Sequence, residues 1–187
     1  MKRGSGFLLA VLICAVPAVS HARQADQKPA PISTLLDALK NAPNEAAAVP
    51  LELQLRQRWV NAGSPAVTLL MSRGLRELKA GEDDEAIKDF GDAIVLDPAL
   101  AEAYHQRAIA RYHAGDTAGA IADIEAALRQ EPRDFAALQT LSHIAEARSN
   151  WKGAFDAWQK VLEIDPMTPG GQDRLKDLKR KAFGEET

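Results

Sequence analysis

The chain has 187 residues, of which 46% are apolar and only 5% aromatic, and its formal net charge is −3. This apolar content is ordinary for a folded globular protein and excludes a wholly disordered chain. A weakly acidic chain lacks the basic field on which nucleic-acid binding depends, so no nucleic-acid partner is expected. The one cysteine, Cys14, falls in a segment that we expect to be removed. The remaining chain would have no thiol for disulfides, thiolate catalysis or cysteine metal sites.

The first 22 residues have the pattern of a secretory signal peptide. Lys2 and Arg3 supply a positive start, and an apolar run covers residues 7–16. Ser20 and Ala22 are small residues at the −3 and −1 positions of a cleavage site after residue 22. The run is too short to span a bilayer, which needs ~20 residues. We therefore expect export through a cleavable signal peptide and a periplasmic location. Lipidation at Cys14 is disfavoured because Ile13 stands where such a site normally has a small residue.

Residues 23–31 contain no apolar side chain larger than alanine or proline, so they predict a disordered linker. Two helices are expected between residues 32 and 65. Each has an apolar face, formed by Leu35, Leu36 and Leu39 in the first and by Leu51, Leu55 and Trp59 in the second, around residues 45–61.

An internal repeat follows, marked by three prolines that stand 34 residues apart, Pro98, Pro132 and Pro166. Four other residue types recur at fixed offsets before each proline. They are an alanine (Ala86, Ala120, Ala154), a bulky residue (Phe90, Ile124, Trp158), a turn residue (Gly81, Gly115, Ser149) and a small residue (Gly74, Ala108, Ser142). Small residues let two helix axes approach, the turn residue ends the first helix, and proline ends the second. The repeat predicts helix pairs at 66–79 and 82–96, 100–113 and 116–130, and 134–147 and 150–164.

This pattern resembles the tetratricopeptide repeat (TPR) over residues 67–168, with units at 67–100, 101–134 and 135–168. The third unit departs from the family pattern by using Ser149 and Asn150 for the usual glycine–acid turn. The resemblance implies an all-α solenoid, in which stacked helix pairs curve and the first helix of each pair lines a concave face.

A repeat array needs ends that cover its outermost apolar faces. Residues 169–187 predict a capping helix and tail, with Leu175 and Leu178 on its apolar side and a basic, solvated side that is not expected to contact lipid. Pro65 lies 33 residues before Pro98, so residues 32–65 are interpreted as a degenerate repeat that caps the other end. An unrelated helical hairpin is the alternative.

The resemblance also implies a partner-binding groove, because the ligand-facing positions of the family recur along each first helix. Carried onto this sequence, they give Leu75, Leu78, Glu102, His105, Ile109, Tyr112, His113, Gln139 and His143. In the second unit the spacing supports the assignment, since residues 102, 105, 109 and 112 form one stripe of a helix. Such a groove suits an extended peptide or a helical segment. The alternative is that Leu75 and Ile109 only pack against the N-terminal helices.

No enzymatic activity is expected, because no serine stands in a nucleophile-elbow pattern and no glycine-rich phosphate loop is present. No catalytic residue and no cofactor is predicted. His105 and His113 would lie ~12 Å apart along a helix, too far to share an ion, so no metal site is predicted. Some TPR proteins clamp a chaperone's terminal carboxylate with lysine and asparagine. The corresponding positions here include Met71, Leu75 and Gln106, so that clamp is absent.

The sequence therefore predicts a periplasmic TPR adaptor or scaffold that binds a peptide or helical segment of another envelope protein in its groove. The alternative is an architectural component that self-associates or braces a larger envelope complex through its end helices. The apolar content of the N-terminal helices motivates this second interpretation.

Overall fold

The computed structural model of the protein describes residues 30–184, and within that range all regular structure is α-helical. The helices are α1 (Ile32–Lys40), α2 (Glu45–Val60), α3 (Pro65–Ala80), α4 (Asp83–Leu96), α5 (Ala101–His113), α6 (Thr117–Gln130), α7 (Phe135–Ala147), α8 (Trp151–Ile164) and α9 (Gly171–Phe183). The expected signal peptide at 1–22 and nearly all of the expected linker at 23–31 lie outside the described residues. Among residues 30–184, no helix is both long and apolar enough to cross a membrane.

Six of these helices, α3 to α8, form the three predicted pairs, and every predicted boundary lies within one residue of the observed one. Each pair packs internally, and α4 contacts α5 just as α6 contacts α7. The first helices also contact one another from unit to unit, α3 with α5 and α5 with α7. The all-α solenoid is confirmed, and α3, α5 and α7 together form one face of it.

The turn inside each pair uses the same backbone conformation in all three units. Gly81 and Gly115 have φ values of +79° and +88°, and Ser149 has a φ of +56° at the equivalent position. Because the left-handed region disfavours residues with a Cβ atom, Ser149 holds a conformation better suited to glycine. The next helix is then capped by a side chain in two of the units, where Asp116 and Asn150 accept hydrogen bonds from backbone N–H groups. The third unit therefore keeps the turn geometry without its usual residues.

Close approach of the two helices in a pair depends on the small residues of the repeat. A Cβ atom added to Gly74 would lie 2.7 Å from Cε1 of Phe90, which is fully buried. Ala86, Ala120 and Ala154, one per unit, are also fully buried. The repeat's small and bulky positions therefore form the internal contacts of each pair.

Ion pairs to buried aspartates join the two helices in the first two units. In the second unit, Nε and Nη2 of Arg107 donate to the carboxylate of Asp123 at 2.8 and 2.7 Å, and Asp123 is only 4% exposed. Arg73 and Asp89 make the equivalent two-pronged contact in the first unit. The third unit has Leu141 at the position of the arginine. Bidentate pairing satisfies the buried aspartates in the two units that have them.

The N-terminal helices α1 and α2 form a hairpin, named here the docked hairpin (Ile32–Val60), with its own apolar core. Leu36, Leu39 and Leu55 are fully buried in it, and that core extends to Phe135 of α7. The hairpin contacts α5 and α8. The interpretation of residues 32–65 as a degenerate repeat that caps the array would place α2 against α3, whereas an unrelated helical hairpin is free to pack elsewhere. The docked hairpin instead packs across α5, α7 and the end of α8, because Phe135 and its neighbours offer an apolar surface there.

At the other end of the array, α9 packs against α8. Leu178 is buried there, and Nε1 of Trp158 donates to the Gly171 carbonyl oxygen at 2.8 Å. Its basic side chains form ion pairs with acidic groups, including Arg174 with Glu146 at 2.8 Å. Helix α9 therefore covers the apolar side of the last pair.

Candidate functional site

The residues predicted to form the groove all lie on α3, α5 and α7, the helices that share one face of the solenoid. Leu75 and Leu78 are on α3, and Gln139 and His143 are on α7. The α5 members are Glu102, His105, Ile109, Tyr112 and His113. The fold therefore brings them to one surface, but they divide into a part covered by the docked hairpin and a part that it leaves open.

The covered part consists of the first turns of α5 and α7. Trp59 of α2 packs on Phe135 with ring centroids 5.5 Å apart, and the Arg56 guanidinium lies 4.9 Å from the centre of the same ring. Arg56 Nη2 also donates to Gln139 Oε1 at 3.1 Å. An aromatic ring and an arginine, three residues apart on α2, thus hold the hairpin on α7. Gln139, predicted to contact a partner, contacts the chain's own helix.

Glu102 and His105 are also in the covered part and are 5% and 3% exposed. Glu102 Oε1 accepts a hydrogen bond from Gln106 at 2.6 Å, and His105 Nε2 lies 3.0 Å from Thr140 Oγ1. Burial by itself would lower the pKa of His105, but the carboxylates of Glu102 and Asp134 outweigh it and raise the pKa above its ordinary value. The cluster therefore favours positive charge at the His105 ring.

Asp134 is the part of this cluster that the sequence interpretation missed. It is 1% exposed and caps α7, accepting from the backbone N–H of Ala137 at 3.0 Å. Burial raises the pKa of Asp134. The pairing of His105 with Glu102 at i, i+3 was visible in the sequence, whereas Asp134 joins them only because α7 starts beside α5.

The open part centres on Ile109 and Tyr112, which are half-buried on α5. Leu75 and Leu78 are half-buried beside the core of the first pair, so they contribute to that core as well as to the surface. The open part is a shallow surface that contains both apolar and polar side chains.

Two histidines lie at the polar margin of the open part. His113 is exposed, and its Nδ1 lies 3.5 Å from Asp83 Oδ1. His143 is exposed on α7. Desolvation and the nearby Arg174 guanidinium lower the pKa of His143, which keeps this imidazole neutral near pH 7. The two rings are therefore available to a partner as polar contacts.

Comparison with known proteins gives several relatives whose names include the tetratricopeptide repeat. A TPR repeat-containing protein of Rhizobium etli is 29% identical over 145 residues, which span 78% of this chain and 70% of that protein. Tetratricopeptide repeat protein 36 of Mus musculus is 46% identical over 56 residues, 30% of each chain. No protein-family model matches the chain.

Solved structures agree with the relatives. The first TPR domain of Spaghetti, bound to an HSP90 peptide, superposes with a TM-score of 0.58 at 22% identity and covers 63% of this chain and 94% of that one. The Sgt2 TPR domain of Aspergillus fumigatus superposes with a TM-score of 0.58 at 26% identity. The match covers 63% of this chain and 80% of that one. The fold thus defines a repeat solenoid with one side lined by the first helix of each pair. With the relatives and the 34-residue repeat, it identifies the helix pairs as tetratricopeptide repeats.

Proposed function

We propose that this protein is an adaptor of the cell envelope that binds a peptide or helical segment of another protein on the face formed by α3, α5 and α7. The observation that carries the proposal is the docked hairpin itself. Helix α2 lies on this face and is held by an aromatic contact to Phe135 and a hydrogen bond to Gln139. Because this face binds one helix of the chain at its covered part, its open part is suited to bind a helix of another protein.

The open part gives the proposed ligand its chemistry. Ile109 and Tyr112 supply an apolar centre, and His113 and His143 supply polar groups at its margin. Anchoring side chains in a small apolar centre supply most of the affinity in interfaces of this kind. The Spaghetti TPR domain was solved with an HSP90 peptide, but this chain lacks the lysine–asparagine clamp. We therefore propose an internal segment with apolar anchors as the ligand, not a terminal carboxylate.

The envelope location rests on the first 22 residues, whose positive start, apolar run and small residues match an export signal. Fractionation of cells that express the full chain tests this part separately. We expect a shortened product, released with the periplasmic contents, that begins near Arg23. An uncleaved product in the cytoplasm would contradict it.

The binding proposal is tested by a photo-crosslinking amino acid placed at Tyr112, with the exposed Glu125 of α6 as the matched control position. We expect discrete adducts at Tyr112 and none of the same mass at Glu125. A second substitution, Ile109→Asp, should abolish the Tyr112 adducts because it places a charge in the apolar centre. Identical adducts at both positions, or adducts that survive Ile109→Asp, would contradict binding at the open part.

A second function, architectural association, is favoured by a different surface. Val49 and Leu53 lie one turn apart on α2 and are 50% and 56% exposed. Adjacent exposed apolar residues suit contact with another protein surface. If they mediate self-association, sedimentation of the wild type should show a concentration-dependent dimer that Leu53→Asp converts to monomer. A wild type that stays monomeric would rule out self-association through this surface.

A further inference from the structure

The covered part of the groove contains a cluster of three potential metal-binding side chains. Glu102 and His105 lie one turn apart on α5, and Asp134 caps the start of α7. One ligand atom from each residue lies within 4.8 Å of the others, and all three residues are buried. The face of the solenoid thus holds two carboxylates and an imidazole close together, away from solvent.

The hydrogen bonds around His105 determine which ring nitrogen carries a proton. The Thr140 hydroxyl donates to the Ala136 carbonyl oxygen at 3.1 Å, so its oxygen accepts from His105 Nε2–H at 3.0 Å. A neutral ring then presents the Nδ1 lone pair on its other side. That lone pair faces Glu102 Oε2 at 3.6 Å.

With His105 neutral, two hydrogen-bond acceptors would therefore face each other inside the protein. His105 Nδ1 and Glu102 Oε2 are both buried without a hydrogen-bond partner among the described residues. Such an arrangement costs free energy unless a cation lies between the two atoms. Either a proton on Nδ1 or a metal ion meets this need.

The distances in the cluster fit the coordination geometry that zinc prefers. Two ligand atoms ~2.1 Å from one tetrahedral zinc ion are ~3.4 Å apart. The separation between Nδ1 and Oε2 is 3.6 Å, which is close to this value. A neutral imidazole with two carboxylates also carries the charge that balances one divalent cation.

Each of the three side chains is oriented by a hydrogen bond to a neighbour. Thr140 holds His105 Nε2, Gln106 holds Glu102 Oε1, and the Ala137 N–H holds Asp134 Oδ1. Metal sites are typically supported by such outer hydrogen bonds, which fix the tautomer and aim the free atoms.

The one cation that α2 brings near this cluster is engaged elsewhere. Arg56 donates to Gln139 and lies over the Phe135 ring. It slightly opposes positive charge at His105, while Glu102 and Asp134 favour it. We propose that Glu102, His105 and Asp134 form a binding site for a single divalent transition-metal ion such as Zn²⁺, located beneath the docked hairpin and joining α5 to the start of α7.

The test is calorimetric titration of the tag-free full chain with Zn²⁺ after treatment with a chelator. We expect one ion per chain, with the affinity reduced at least tenfold in His105→Gln and in Glu102→Gln. His143→Gln, which changes an exposed histidine on the same face, is the matched control and should bind Zn²⁺ like the wild type. Co²⁺ should give the visible absorption of a low-coordinate nitrogen and oxygen site in the wild type and in His143→Gln.

A measurement on the wild type keeps the test valid even if the variants fail to fold. The ¹⁵N resonance of His105 Nδ1 should change from that of a protonated nitrogen to that of a metal-bound one when Zn²⁺ is added. Failure of the wild type to bind Zn²⁺ would overturn the proposal and leave a proton as the cation on Nδ1. Zn²⁺ binding that survives His105→Gln, or that leaves the His105 resonance unchanged, would also overturn it.

Discussion

Replacing Trp59 by alanine should undock the hairpin without unfolding the repeat array. Trp59 is 4% exposed and packs on Phe135, and deleting a buried aromatic side chain costs about 3–5 kcal/mol. Its indole Nε1 is buried without a hydrogen-bond partner among residues 30–184, which already costs the wild type about 1–3 kcal/mol and is relieved by the substitution. The two effects oppose each other, so we expect a net loss of about 2 kcal/mol of docking free energy.

Amide hydrogen exchange measures this loss segment by segment. A change of about 2 kcal/mol is about 30-fold in the opening equilibrium, so amides of α1 and α2 should exchange about 30-fold faster in Trp59→Ala. Amides in α3 and α4 should be unaffected, because the hairpin packs mainly on α5 and α8. Trp59→Phe is the matched control, since it retains a ring against Phe135 and removes the unpaired N–H. The hairpin of Trp59→Phe should dock as tightly as that of the wild type or only slightly more weakly.

Two results would refute this reasoning. Unchanged exchange of α1 and α2 in Trp59→Ala would mean that the contact with Phe135 does not hold the hairpin. Equal acceleration in the hairpin and in α3–α4 would mean that the hairpin and the array open as a single unit.

Three further substitutions test local features. Ser149→Gly should raise the free energy of unfolding by about 1 kcal/mol, since it relieves a left-handed backbone at a residue with a Cβ atom, as urea denaturation can measure. Gly74→Ala should lower the melting temperature, because its new methyl group would overlap the Phe90 ring, at a cost of about 1–3 kcal/mol. Glu52→Gln should stabilise the protein by about 1 kcal/mol at pH 7. Burial, followed by the nearby Asp165 carboxylate, raises the pKa of Glu52, so the wild type loses stability as pH rises through that raised pKa.

Each of these predictions has a result that would contradict it. Gly115→Ser should destabilise the protein by about as much as Ser149→Gly stabilises it. A loss of stability in both variants would show that Ser149 makes contacts that glycine lacks. An unchanged melting temperature in Gly74→Ala would mean that α3 and α4 can separate at no cost. For Glu52→Gln, the gain should shrink as the pH is lowered, because the wild-type Glu52 then takes up its own proton. A gain that is equal at pH 7 and pH 4 would exclude the carboxylate pair as its cause.

The helix pairs were predictable because their determinants are local. The offsets of Gly81, Ala86 and Pro98 fix where a helix ends, where two helices touch and where the next unit begins, and each acts over a few turns. The sequence does not by itself specify the left-handed turn at Ser149, since serine does not demand that conformation. This conformation is imposed by the flanking helices α7 and α8, which must pack in the same register as the other two pairs.

The position of the docked hairpin could not be predicted in the same way. The apolar face with Leu55 and Trp59 requires a partner surface, but α3 and the first turns of α5 and α7 are both suitable partners. What decides between them is Phe135, which is far away in the sequence and recognisable only once the units are stacked. The cluster with Asp134 eluded prediction for the same reason, because spacing within one helix does not reveal which residue of the next unit lies beside it.

The docked hairpin also determines how a partner's affinity should respond to Trp59→Ala. A ligand that needs the covered first turns of α5 and α7 must displace α2, so its apparent affinity is reduced by the small fraction of molecules that are undocked. Weakening the docking by about 2 kcal/mol should then raise that affinity by up to about 30-fold. A ligand that binds only at Ile109 and Tyr112 has nothing to displace, and its affinity should not change. Titrating the partner captured at Tyr112 against Trp59→Ala and Trp59→Phe separates the two modes. Weaker binding to Trp59→Ala would contradict both, because the docked hairpin would then itself be part of the binding surface.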